Sequence, residues 1–382
     1  MATLAAAPPT EHVAAAATGR PNPPITGLSW AALQEVLASR GERPFRTEQV
    51  VRWVYRSAIT DFAPMLNVPQ ALRTWLAETY AFSAAEVVTQ VASADGDTVK
   101  AVLRLADGAL IETVLMQYHR RSDGTGADRS TVCVSTQVGC ALQCSFCATG
   151  LMGLTRNLTA AEIIDQALHF LRRTRQRPPV VRNVVFMGMG EPLLNYAACL
   201  EAVARLCDPL GAGLGPPRLT ISTSGWLPGI ARLADEPWPV RLAVSLHAPT
   251  NAVRDELVPL NRRYPVEDLL AACRAYQAQT GRRVTFEYTM LAGVNDSPAL
   301  ARALVELVRG LDCHINLIPM NPVAELPYAP SSDEAVQTFH RTLRQAGLIA
   351  TIRREMGRDI QAACGQLQTT VRRQPLVQEH NP

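Results

Sequence analysis

The chain has 382 residues, 47% hydrophobic and 19% charged, and 37 basic against 34 acidic side chains leave a formal charge of +3. That is enough for one large domain with an appendage or for two ordinary ones, and the small net charge by itself points to no partner. No uninterrupted apolar stretch reaches the ~18 residues of a membrane helix, and nine unevenly spaced cysteines argue against a disulfide scaffold and for metal or redox chemistry in a reducing cytoplasm.

Residues 1–25 read as a disordered Ala/Pro tail. The tail lacks a basic start, and Pro8, Pro9, Glu11 and His12 interrupt its apolar part, so no signal peptide is expected. From 26 to 90 apolar residues recur at the helical period, broken by Gly41, Pro44 and Pro64, which predicts a small helical accessory module. Residues 91–130 predict a β-hairpin turning at Asp107-Gly108, "DTVKAVLRLADGALIETVLMQY", and then a polar loop from His119 to Ser130. Between 131 and 350 strands and helices alternate. Strands are expected at 131–138, 183–190, 218–225, 241–248, 284–291 and 313–320, with amphipathic helices between them; Thr159 and Glu162 form a capping box at the head of the first. Six βα units without reversal predict an α/β fold built on a parallel sheet, and six are too few to close an eight-stranded barrel, so an open or partial barrel is expected. Residues 351–382 form a C-terminal extension.

Ligands of such folds collect at the carboxyl ends of the strands. Five of those ends carry polar motifs here: the cysteine-rich "VCVSTQVGCALQCSFCATG", "GMGEP", "STSG", "SLHAP" and "PMNP". Cys140, Cys144 and Cys147 form a CxxxCxxC with no second pair and no neighbouring histidine ligand. A structural zinc wants four closed ligands. Three thiolates suit an iron-sulfur cluster with one iron left open, and a zinc-stapled RNA-binding module is the alternative from another class.

"GCALQCSFCATG" resembles the signature of the radical S-adenosylmethionine (SAM) superfamily, which implies a 4Fe-4S cluster on Cys140, Cys144 and Cys147, SAM on the open iron, and a partial (βα)6 barrel. Together with "NVVFMGMGEPLLN", "LTISTSG", "LAVSLHAP", "INLIPMNP" and "GRDIQAACGQL", it resembles the RlmN-type adenine carbon-2 methyltransferases of 23S rRNA and tRNA. The resemblance runs from about residue 30 to about 370. It implies that Gly190 and Glu191 meet the SAM amino group and that Ser222, Ser245, Leu246, His247 and Asn321 make further SAM contacts. It also makes Cys364 the carrier of a methyl group taken from a first SAM, Glu112 the acceptor of the carbon-2 proton, and Cys133 the thiol that releases the product by forming a disulfide with Cys364. Taken alone, Cys364 reads as a small buried residue, Glu112 as a charge on a strand's solvent face and Cys133 as a core-facing strand residue. The His119–Ser130 loop is longer and more polar than in the family's shorter members.

The implied partners are 23S rRNA, tRNA and an electron donor such as flavodoxin or ferredoxin, for a monomeric enzyme. The nearest rival is the related Cfr-type enzyme, which methylates carbon 8 of the rRNA adenine with the same cysteines and confers antibiotic resistance. Lys100 is the only lysine, and arginine suits bidentate phosphate contacts. Pairs recur at Arg120-Arg121, Arg172-Arg173, Arg262-Arg263, Arg282-Arg283, Arg353-Arg354 and Arg372-Arg373. Of these, Arg262-Arg263 and Arg353-Arg354 neighbour the rim motifs and are the expected RNA contacts. Cys199, Cys207, Cys273 and Cys313 match no site and are expected to pack in the core.

Overall fold

The computed structural model describes residues 22–119, 128–176, 180–323, 325–353, 356–362 and 365–367. Three helices, α1 (Trp30–Ala38), α2 (Phe45–Arg56) and α3 (Gln70–Thr79), open the described chain. The Ser29 hydroxyl accepts a hydrogen bond from the Ala32 amide and caps α1. The sequence pattern carries the helical region to residue 90, but Ala85–Ala92 form β1, which pairs antiparallel with β2 (Thr98–Leu105); β3 (Leu110–Tyr118) completes a meander. The β2–β3 turn is the expected one. Gly108 takes φ 84° and the Asp107 carboxylate accepts from the Ala109 amide at 3.0 Å.

Six parallel strands then come in the predicted order: β4 (Arg129–Cys133), β7 (Val181–Phe186), β8 (Leu219–Thr223), β9 (Arg241–Ser245), β10 (Val284–Met290) and β11 (Cys313–Pro319). The short antiparallel pair β5 (Gln137–Gly139) and β6 (Leu154–Asn157) flanks the cysteine loop. A seventh parallel strand, β12 (Ile349–Ile352), pairs with β11; its four residues are too few for a periodicity to show. All strands but β5 and β6 join one ten-stranded sheet, ordered β1-β2-β3-β4-β7-β8-β9-β10-β11-β12 and open at both edges. The crossovers are α5 (Ala160–Gln176), α6 (Tyr196–Cys207), α7 (Leu227–Ala234), α9 (Val266–Thr280), α10 (Pro298–Leu307) and α11 (Asp333–Gln345), while α4 (Ala148–Leu151) and α8 (Asn251–Leu257) lie in rim loops. The capping box of α5 closes as expected, with Thr159 N to Glu162 Oε2 at 2.8 Å and Glu162 N to Thr159 Oγ1 at 3.2 Å.

The two-residue period of the strands sorts their side chains. On β10, Val284, Phe286 and Tyr288 lie in the hydrophobic core, whereas Glu287 and Thr289 line the interior of the partial barrel. Each fully buried side chain of the apolar set contributes roughly 1.5–3 kcal/mol. The N-terminal helices share this core. They are also bonded to it: buried Asp165 on α5 accepts from Thr26 Oγ1 at 2.8 Å and Ala84 N at 2.5 Å, and Arg205 on α6 donates to the carbonyls of Thr26 and Leu28. Cys199, Cys207, Cys273 and Cys313 are buried, as expected of packing residues.

Candidate functional site

The parallel strands end earlier than their apolar runs do, β4 at Cys133 rather than 138 and β7 at Phe186 rather than 190. Beyond each end the chain forms the rim. Gly188 and Gly190 explain the break after β7. A Cβ on Gly188 would meet Ser135 Oγ at 2.7 Å, and one on Gly190, whose φ is 99°, would meet the Gln137 side chain at 2.5 Å. The GMGEP turn is thereby pressed against the segment leading to the cysteines, and Gln137 Oε1 accepts from the Glu191 amide at 2.9 Å.

A cleft open to solvent lies over these strand ends. Cys140, Cys144, Cys147, Gly190, Glu191, Ser222, Ser245, His247 and Asn321, which sequence reasoning selected, all line it. Leu246 does not: it is fully buried one step behind the rim, its amide donating to Glu287 O and its carbonyl accepting from Arg254.

The three cysteines crowd one another. Burial first, then the nearby Cys147 and Glu191, push the Cys140 thiol up to about 11; burial, Cys147 and Cys140 push Cys144 up further. Thiols so desolvated ionise only beside a strongly cationic group. Among the described residues no three His, Cys, Asp or Glu side chains close on a single ion. A cluster spreads its thiolates over separate irons and needs no such convergence.

Across the cleft, burial pushes the Glu191 carboxyl up to about 7 although it accepts hydrogen bonds from Leu193 N and Ser224 N. An ammonium group would let it ionise. His247 takes φ 58°, a left-handed conformation uncommon outside glycine, and the Asn295 amide group holds that turn through His247 O and Thr289 O. Its Nδ1 accepts from the Thr289 amide at 3.0 Å, which leaves Nε2 to carry the proton, and burial lowers its basicity to about 3. The imidazole is therefore a neutral donor.

A second cavity adjoins the first and shares Cys147, Thr149, Asn321, Arg353 and Gly365 with it. Cys133, buried at the end of β4, lines this one with Val114 and Met116. Glu112 lines neither cavity, yet it lies on the same face of β3 as Val114 and Met116. It is 2% exposed rather than at a solvent face, and Lys100 Nζ pairs with its Oε1 at 3.2 Å. Cys364 lies outside the described residues. Just after it, the Ala148 amide donates to Gly365 O at 2.8 Å, and Thr149 Oγ1 donates to Leu367 O at 2.7 Å.

Several residues of the site carry no signal at the sequence level. Arg254 on α8 is almost wholly buried and donates to the carbonyls of Leu246, Ser224 and Ser245, tying the ends of β8 and β9 together beneath the cleft. Glu287 lines the cleft and its carboxylate accepts from Asn316 at 2.7 Å, beside Arg353, which the sequence had already singled out. An arginine mid-helix and a glutamate mid-strand look like surface residues until the fold encloses them. Of the arginine pairs, Arg262 is exposed and Arg263 stacks over Trp226 and Tyr264. Arg172 is internal, donating to Val54 O, and Arg282 and Arg283 are engaged by Tyr276 and Asp312. Arg120, Arg121, Arg354, Arg372 and Arg373, with most of the His119–Ser130 loop, lie outside the described residues.

The family model of the radical SAM superfamily matches residues 134–303, and that of the ribosomal RNA large subunit methyltransferase N-terminal domain matches residues 24–81. A protein of Symbiobacterium thermophilum, named a probable dual-specificity RNA methyltransferase RlmN, is 46% identical over 354 residues, 92% of this chain and 93% of its own. The ribosomal RNA large subunit methyltransferase N of Nitrosopumilus maritimus is 44% identical over 340 residues, 89% of this chain and 96% of its own. The crystal structure of a radical SAM methyltransferase from Sphaerobacter thermophilus matches with a TM-score of 0.86 at 49% identity, covering 91% of this chain and 99% of that one. Radical SAM methyltransferases use a 4Fe-4S cluster and SAM. The donor set fits both: three crowded thiols await a cationic group, and Asn321, which lines the cleft, has a buried Oδ1 with no hydrogen-bond partner among the described residues. A partial barrel with a helical N-terminal module, a cysteine loop at its rim and relatives that span nearly its whole length mark this chain as a member of the RlmN family of radical SAM RNA methyltransferases.

Proposed function

We propose that the enzyme methylates carbon 2 of an adenosine in 23S rRNA and of the adenosine next to the anticodon in tRNAs, using two SAM per turnover and S-methylated Cys364 as the intermediate. Carbon 2 is electrophilic and has no lone pair with which to attack a sulfonium methyl group, so direct polar transfer from SAM fails there. In this reading Cys140, Cys144 and Cys147 hold the cluster. Glu191 takes the SAM ammonium against the close backbone of Gly190, with Ser222, Ser245, Leu246, His247 and Asn321 as further contacts. When bound, the cluster and SAM supply a 5′-deoxyadenosyl radical.

Cys364 first accepts a methyl group on sulfur. Loss of a hydrogen atom from that methyl leaves a methylene radical, which adds to carbon 2 of an adenine unstacked from its RNA. The radical adduct gives up one electron, for which the cluster that Cys140, Cys144 and Cys147 would hold is the acceptor, and Glu112 takes the carbon-2 proton, which restores the aromatic ring. The Cys133 thiolate attacks the Cys364 sulfur, the sulfur–carbon bond breaks with its electron pair passing to the adenine-bound methylene, which a proton completes as the methyl group, and the disulfide formed is reopened by a thiol reductant. Arg262, Arg263 and Arg353 are the arginines proposed to hold RNA phosphates, the enzyme acts as a cytoplasmic monomer, and a flavodoxin or ferredoxin provides electrons.

The observation that supports this reading is that Gly365 and Leu367, which follow Cys364 in the sequence, are tethered to Ala148 and Thr149 and line one cavity with Cys133. Nucleoside mass spectrometry of RNA from a deletion strain tests it. The expected result is loss of 2-methyladenosine; loss of 8-methyladenosine with 2-methyladenosine intact would assign the carbon-8 reaction instead. In purified enzyme, Cys133→Ala should accumulate protein covalently joined to RNA, and Cys364→Ala should lose both methyl loading and product. Normal turnover by Cys133→Ala would remove Cys133 from the mechanism.

A further inference from the structure

We propose that Lys100 is a positioning residue for the deprotonation step: it pairs with the Glu112 carboxylate and ties that carboxylate to the backbone three residues before Cys364. The inference rests on the reading of Glu112 as proton acceptor and Cys364 as methyl carrier.

Lys100 is the only lysine among 37 basic residues. It stands on β2 opposite Val114, on the face that Glu112 shares, and reaches diagonally to the neighbouring strand. Its Nζ lies 3.2 Å from Glu112 Oε1 and donates to Gln361 O at 3.1 Å. Both side chains are withdrawn from water, at 13% and 3% exposure. The C-terminal segment lies close along β2 for several residues. A Cβ on Gly357 would meet Thr98 Cγ2 at 2.5 Å, and the Ala94 amide donates to Asp359 Oδ2 at 2.8 Å. One ammonium therefore links the general base to the strand of backbone that presents the adduct.

The chemistry needs such a link. A carboxylate accepts a proton only when ionised, and burial favours its neutral form unless a cation stands beside it. In the step itself the C2–H bond of the adenine adduct breaks, its proton forms an O–H bond on Glu112, and the bonding pair stays with the adduct; Lys100 neither gains nor loses a proton. A compact ammonium with three rotatable donors can serve a carboxylate and a carbonyl at once, which a planar guanidinium does in a different geometry.

Lys100→Met, Lys100→Arg and Glu112→Gln holoenzymes, each given RNA whose target adenosine carries hydrogen or deuterium at carbon 2, test the assignment. Lys100→Met should load methyl onto Cys364 as the parent does, read by peptide mass, and should lose about tenfold or more in 2-methyladenosine formation, the cost of one charge-assisted hydrogen bond. It should also show a deuterium isotope effect of about twofold or more, absent or smaller in the parent, because proton removal becomes the slow step. Lys100→Arg should recover part of the rate. If Lys100→Met fails to fold, Lys100→Gln, which keeps a donor for Gln361 without the charge, carries the same comparison. Turnover of the lysine variants within about twofold of the parent, or a slow reaction with no isotope effect, would overturn the role of Lys100. Normal turnover by Glu112→Gln would instead overturn the reading of Glu112 on which it rests.

Discussion

Asn321 holds an unsatisfied oxygen in a place where nearly every other buried polar group is bonded. Leaving such an atom without a donor costs about 1–3 kcal/mol, and the cleft it lines is where a ligand would supply one. Asn321→Ala should therefore weaken SAM binding by about tenfold, seen in calorimetry, while leaving the melting temperature of the ligand-free protein unchanged or slightly higher. A marked loss of ligand-free stability would mean that the oxygen has a structural task. Gly190 behaves in the opposite way. Because φ is 99° and a Cβ would meet Gln137 at 2.5 Å, Gly190→Ala should cost about 2 kcal/mol or more of folding stability and displace Glu191, measurable by denaturant unfolding.

Among the elements, α5 does double service, since one of its faces packs under the sheet and another receives the N-terminal helices and β1. His169 on α5 bonds Gln90 of β1 at 3.0 Å, and burial, with Arg172 and Arg173 nearby, lowers its basicity to about 4. Above pH 6.5 the imidazole is neutral in both folded and unfolded chains. Below it the unfolded chain takes up a proton that the native one refuses, so this residue makes stability fall toward pH 4, by at most about 1.4 kcal/mol per pH unit. Buried Asp165 and Glu287 shift upward and act in the opposite sense, so the test is a difference: His169→Gln should flatten the acid limb of the stability curve relative to the parent. The strands show how far a sequence can be read at this level. Six parallel strands were legible because each carries a run of buried residues, and five of them are closed by a polar rim motif. The strand β1 was not, since "AEVVTQVA" is mostly exposed and comes after a helical stretch, and β12 is too short to announce itself.

For the molecule as a whole, one core runs from Ile25 to Leu367 and takes in both the N-terminal helices and the barrel. Scanning calorimetry should accordingly show a single cooperative transition rather than two; a separate early transition lost on removing residues 22–81 would show that the helical module folds by itself. The site was legible as a set of motifs on one rim, and the cleft gathers nearly all of them. Glu287 and the buried Arg254 escaped notice because nothing in a helix or strand pattern tells which charged residue the tertiary fold will enclose. Lys100 stood out only as a count of one until its partners were known.

The C-terminal segment, tied to Ala94 and Lys100 of the first hairpin and to Ala148 and Thr149 of the cysteine loop, sets an order of assembly. On a translating ribosome every residue proposed to hold the cluster and SAM emerges before the proposed methyl carrier does. A chain halted after β12 would thus possess the proposed means of making a radical and lack the thiol meant to use it. Synthesis of the segment that carries Cys364 is in this sense the last step in building the proposed active site, and the contacts that fasten residues 357–362 and 365–367 are what seat it.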